Sequence, residues 1–268
     1  MTDIQLLLQR AVLLFAFFTL AGCSTMDKDP TADWTAKDFY DEARAALNAG
    51  EFQTAIKNLE TLEARFPFDP YAKQAQLDVA YSYYKFDEPE TAISAIQRFI
   101  RLHPRDPHID YALYLKGLVN FNRGKGLLDE WFPHDPSKHD MQVLQSAFND
   151  FAQLVKRFPD SPYAGDAYQR MIYLRNKMAE NEIDNAEYYI KRKTWLAAAN
   201  RAKNVIETYP HSIWRNRALE ILIQAYTEMG LNDLAQDAQR VLDMNRKTAS
   251  QQQTPSGDSE LEQPPELI

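Results

Sequence analysis

The chain has 268 residues, 45% hydrophobic, 25% charged and 12% aromatic, with 38 acidic against 30 basic side chains for a formal charge of -8. That length fits one or two globular domains, and the acidic balance argues against non-specific nucleic-acid binding. With only 8 glycines and one cysteine, Cys23, a glycine-rich phosphate loop or turn-rich β protein is disfavoured and an intramolecular disulfide or thiolate zinc site is excluded, leaving a helical protein as the expectation.

At the N-terminus, residues 11–21 (AVLLFAFFTLA) form the one long apolar run, preceded by Arg10. It is shorter than the roughly 20 residues of a spanning helix, so it reads as the apolar region of an export signal. The tetrapeptide Leu20-Ala21-Gly22-Cys23 resembles the bacterial lipobox. An ordinary secretory signal with an incidental cysteine is the alternative; the complete match at the sole cysteine favours the lipobox. That resemblance implies removal of residues 1–22, lipidation of Cys23 and, because Ser24 rather than Asp follows, anchoring at the periplasmic face of the outer membrane. Residues 23–35, polar and carrying Pro30, read as a tether.

Downstream, four similar helix stops recur: Arg65-Phe66-Pro67, Leu102-His103-Pro104, Arg157-Phe158-Pro159 and Thr208-Tyr209-Pro210. Setting each proline at position 32 of a 34-residue frame places alanine at position 20 every time (Ala55, Ala92, Ala147, Ala198) and a small residue at position 8 (Ala43, Ala80, Gly117, Ala186). This is the tetratricopeptide (TPR) pattern, in which small residues let two antiparallel helices approach. The expected fold is an all-α, right-handed α-solenoid of five repeats over 36–245: 36–70, 71–107, 108–162, 163–213 and 214–245. Thr35 is the expected N-cap of the first helix, with Asp38 three residues on, and Gly50 falls in the following turn.

Two departures interrupt the frame. Residues 123–140 (RGKGLLDEWFPHDPSKHD) read as an insertion in the third repeat. Its Leu127, Leu128, Trp131 and Phe132 either tuck over the solenoid or meet a partner. The fourth repeat carries an extra stretch, so one long helix, straight or kinked, is expected from about residue 163 to about residue 191. Residues 246–268, acidic and rich in Gln, Ser and Pro, read as a disordered tail.

Nothing in the sequence supplies catalytic chemistry. His134 and His139 in the insertion are spaced five apart, which does not align two rings on one helix face, so no metal and no cofactor are expected. The concave surface is more informative. Positions 2, 5, 9 and 12 of the first three first helices place Tyr40, Tyr81, Tyr84, Tyr111, Tyr114 and Phe121 inward, beside Lys37, Arg44 and Lys85. That combination reads as a groove for an extended peptide, with the cations meeting a carboxylate or acidic residues. Core packing is the competing explanation for aromatics at helical spacing, weakened here because these frame positions do not join the helices of a pair.

The segments RFPFDPY (65–71), RFIRLHP (98–104), IDYALYLKGL (109–118) and AEYYIKR (186–192), together with the lipobox and five repeats, resemble the BamD (ComL) family of outer-membrane β-barrel assembly lipoproteins. The resemblance spans about 23–245. It implies a non-enzymatic subunit whose C-terminal repeats bind the periplasmic domain of BamA, with BamC and BamE as further partners. It also implies that the N-terminal repeats receive the C-terminal targeting segment of unfolded outer-membrane proteins, and that Arg201, in AANRAK, contacts BamA. A TPR pilotin that escorts a secretin is the alternative.

Overall fold

The computed structural model describes residues 29–123 and 141–252, with side chains to residue 248. The described residues form ten helices: α1 (Ala36–Asn48), α2 (Phe52–Arg65), α3 (Pro70–Lys85), α4 (Pro89–Leu102), α5 (Ile109–Asn122), α6 (Met141–Arg157), α7 (Ala164–Lys191), α8 (Trp195–Thr208), α9 (Arg215–Glu228) and α10 (Asn232–Gln252). Each packs on its sequence neighbours. In addition α1 reaches α3, α3 reaches α5, and α7 reaches α9, so the first helices of successive pairs share one layer.

Local chemistry sets the helix ends. Thr35 and Asp38 form a capping box on α1: the Thr35 side chain accepts from the Asp38 N–H, and the Asp38 carboxylate accepts from the Thr35 N–H at 2.8 Å. Asp69 caps α3 by accepting from the Tyr71 N–H at 2.9 Å, with Pro70 opening the helix. The helix stops share one geometry. Phe66, His103 and Tyr209 each precede a proline and lie at φ -130, -128 and -124, each still donating its N–H to the carbonyl four residues back. The following proline disfavours the α region for the residue before it, so the helix ends there and the chain turns into the next pair.

The turn inside a pair needs one residue in the left-handed region. Gly50 (φ +75) and Gly230 (φ +74) supply it without strain. Asp87 (φ 62) and Lys193 (φ 57) occupy the same step in the second and fourth pairs.

The small residues of the frame sit where helices meet: Ala43, Ala55, Ala80, Ala92, Ala147, Ala186 and Ala198 are all fully buried. Gly117 is the extreme case, because a Cβ there would lie 2.4 Å from the Phe151 ring. Phe39, Leu59 and Leu62 centre the core of the N-terminal end, and a continuous cluster from Leu77 to Leu242 fills the rest.

The long helix expected in the fourth repeat is α7, 28 residues without a break. One boundary differs from the sequence reading: α10 continues through Gln252, seven residues into the stretch assigned to a disordered tail beginning at 246. Arg246 reaches back to Glu220 at 2.8 Å, and no Gly or Pro interrupts the chain before Pro255, so the helix continues. Cys23, the insertion residues Leu127, Leu128, Trp131, Phe132, His134 and His139, and the remainder of the tail lie outside the described residues.

A candidate peptide-binding groove

The inward faces of α1, α3 and α5 bring the six aromatics to one layer, and all six are half-buried. Tyr40 sits 5.1 Å, ring to ring, from Tyr71 in the first turn of α3. Tyr81 and Tyr84 lie 6.4 Å apart, and Asn122 donates to the Tyr84 hydroxyl at 2.5 Å. Tyr114 stacks on Tyr163 at 4.8 Å and donates its hydroxyl to Asp166 at 2.8 Å, while Tyr111 meets the same Tyr163 at 5.6 Å. Phe121 is held between Phe151 at 6.3 Å and Tyr173 at 5.7 Å, with the Arg170 guanidinium 4.9 Å above its ring.

The rings are therefore tied more firmly into the fold than the frame implies. Each packs against the core, and Phe121 and Tyr114 meet further rings as well. The cause is the extra length of α7, whose N-cap Tyr163 and first turns, with Asp166, Arg170 and Tyr173, lie against α5. Sequence reasoning missed these four because the repeat frame gives that stretch no register; the tyrosines three apart on α5, Tyr111 and Tyr114, are the signal that a partner ring should be sought.

Burial pushes the Tyr40 phenol up to about 12, aided by the nearby Asp78 carboxylate. Tyr114 also rises to about 12, through burial and its bond to Asp166. Tyr111 goes higher still, mainly through burial. These hydroxyls stay neutral at physiological pH, so the groove presents flat apolar rings with hydroxyls able to donate or accept.

The cations are less free than the sequence suggests. Lys37 pairs with Asp41 on the exposed side of α1, a bond that raises the ammonium above its ordinary value. Arg44 is half exposed and stands 3.7 Å from Asp78 on α3. Lys85 is exposed at the end of α3.

Arg201 lies apart from the row, on α8. Its guanidinium rests 3.2 Å from Glu182 of α7, a carboxylate with 10% of its side chain exposed, while the arginine itself remains half open. Tyr189, Ala197, Asn200 and Asn204 complete a shallow depression around it. Among the described residues no helix is long and apolar enough to cross a membrane, and no group of three or more His, Cys, Asp and Glu is placed to hold a metal ion.

Residues 32–242 match the family YfiO, described as "Outer membrane lipoprotein". The chain is 45% identical over 231 residues to the outer membrane protein assembly factor BamD of Neisseria meningitidis serogroup A, covering 84% of this chain and 86% of that one. It is 37% identical to the BamD of Vibrio cholerae, covering 87% and 96%. Among solved structures, the crystal structure of MamA protein aligns with a TM-score of 0.38 at 16% identity, over 83% of this chain and 98% of that one.

Proposed function

The chain belongs to the YfiO family of outer membrane lipoproteins, whose curated relatives are BamD assembly factors, and from that premise we propose that it is a non-enzymatic subunit that recruits unfolded outer-membrane proteins to the assembly machinery. In this reading Cys23 carries the lipid that holds the helical domain to the periplasmic face of the outer membrane. Several acyl chains on one residue anchor a soluble domain firmly, since each buried CH₂ contributes about 0.8 kcal/mol.

The groove of α1, α3 and α5 takes the client. The observation that supports this is the row of six half-buried aromatics on the first helices of three successive pairs. A lining of this kind suits an extended peptide with an aromatic end: ring-on-ring contacts tolerate many sequences, and neutral phenols satisfy the peptide's backbone groups. The C-terminal helices take the periplasmic domain of BamA, with Arg201 as a charged contact. BamC and BamE are the further partners in the complex.

Affinity purification of the full, lipidated protein from its own envelope tests this reading. Co-purification of BamA is expected. Recovery of a secretin instead would make the protein a pilotin.

A further inference from the structure

Two buried carboxylates in the N-terminal half are treated in opposite ways. Asp106 receives the Lys73 ammonium at 2.7 Å, the His108 ring at 2.9 Å and the His108 N–H at 2.9 Å. Burial alone would raise its carboxyl, yet these donors outweigh it and hold the group down at about 2. Asp78, on the groove side of α3, has 11% of its side chain exposed against 4% for Asp106, and it lacks such a set. Gln74 donates to its Oδ1 at 3.2 Å, and Oδ2 has no hydrogen-bond partner. Its cation, Arg44, stands 3.7 Å away, too far for a hydrogen bond, with 49% of its side chain exposed.

The groups that face Asp78 come from three helices: Arg44 and Tyr40 of α1, Gln74 of its own helix, and Tyr111 of α5. Both tyrosines are neutral. Donors from Gln74 and Tyr40, and then Arg44 as the one positive charge, oppose desolvation, yet burial wins and raises the Asp78 carboxyl above its ordinary value. Arg44 is at the same time the cation best placed to meet an anionic group lying on Tyr40 and Tyr111.

We propose that Asp78 makes peptide capture proton-linked: the ligand's terminal carboxylate takes the Arg44 guanidinium, and Asp78 takes up one proton from solvent in exchange. This rests on the groove reading above. With Asp78 charged, binding a free carboxylate places two anions on one cation in a desolvated setting, which is unfavourable. With Asp78 protonated, that repulsion is gone. Affinity for a peptide ending in a free carboxylate therefore rises as pH falls toward the carboxylate range, whereas a peptide ending in an amide does not engage Arg44 and binds independently of pH.

The test uses the whole protein and a labelled peptide ending in Phe, free of acidic side chains and histidine, made once with a free C-terminal carboxylate and once as the amide. Titrations between about pH 8 and about pH 5.5 should show roughly tenfold tightening for the acid and none for the amide. Calorimetry in buffers of different ionisation enthalpy should show proton uptake with the acid alone. These two measurements need no variant. Asp78→Asn should flatten the pH profile and bind the acid at high pH as tightly as wild type does at low pH; Arg44→Gln should erase the preference for acid over amide. Equal pH slopes for acid and amide, or a wild-type slope in a folded Asp78→Asn protein, would overturn the proton linkage while leaving the groove standing. Binding of neither peptide at any pH would remove the groove reading itself, and this inference with it.

Discussion

The groove of α1, α3 and α5 and the depression around Arg201 on α8 are made of opposite materials. The first offers a run of half-buried rings with neutral hydroxyls, tied down by Tyr163, Asp166 and Tyr173 from α7. The second offers one alanine, two asparagines and a single ring, Tyr189, around one guanidinium resting on a buried glutamate. A ring surface gains most of its affinity from flat contact, which many sequences can supply. A lone arginine over a buried carboxylate selects a partner by charge and geometry. Under the proposed function, one fold presents a permissive surface for clients at one end and a selective one for a fixed partner at the other, and the two should respond to different substitutions.

The largest expected effect comes from Gly117→Leu. A side chain there meets the Phe151 ring at once, so α5 must lift from α6 and carry Tyr114 and Phe121 with it. The cost is about 3 kcal/mol, seen as a melting temperature lower by roughly 10 °C, and peptide binding should fail with it. An unchanged melt would mean that the helices do not meet as described.

Next comes the double change Tyr81→Ala and Tyr114→Ala, which should weaken a peptide ending in Phe by about two orders of magnitude while leaving BamA binding intact. Because Tyr114 also stacks on Tyr163 and bonds Asp166, its removal should cost stability by about 1–2 kcal/mol. Tyr81→Ala alone is the cleaner probe of binding. Equal loss at both surfaces would dissolve the distinction between them.

A smaller and sharper effect is expected at the other end. Arg201→Gln should weaken BamA binding by about 2 kcal/mol without touching the peptide groove. It also strands Glu182, so the variant alone mixes lost contact with lost stability. Adding Glu182→Gln should restore the melt and leave BamA binding weak. If the double variant recovers BamA binding as well, Arg201 acts only within the fold.

The smallest effect should be the same beneath both regions. Asp87 and Lys193 hold left-handed backbone where the first and fifth pairs use Gly50 and Gly230. Replacing either by Gly should raise stability by about 1 kcal/mol, measured by denaturant unfolding, because a Cβ is disfavoured at that turn. A loss of stability at Lys193 alone would assign its side chain a contact in the turn before α8.

Much of this architecture is legible in the residues themselves. Prolines after Phe66, His103, Phe158 and Tyr209 mark where helices must stop, and alanines at fixed distances before them mark where helices must touch, because both constraints are local and repeat with the frame. What the frame could not give is contact across it. The meeting of Tyr114 with Tyr163 and Asp166 joins residues about fifty apart through turns that belong to no repeat position. Likewise Arg44 and Asp78 lie 34 residues apart on neighbouring first helices, and neither spacing nor composition shows that one oxygen of the Asp78 carboxylate is left without a hydrogen bond. The end of α10 escaped for a different reason: composition reads as disorder where one ion pair from Arg246 and the absence of any breaker suffice to extend the helix.

Site-specific photocrosslinking tests the client groove most directly. A photoreactive phenylalanine analogue placed singly at Tyr81 on α3, at Tyr111 on α5 and, as a control on the other layer, at Ser94 on α4 would be exposed to a labelled peptide ending in Phe. Crosslinks at Tyr81 and Tyr111 with none at Ser94, competed by unlabelled acid-ended peptide, are the expected result. Crosslinking at Ser94 with silence at both tyrosines would contradict the account and place the client outside the groove.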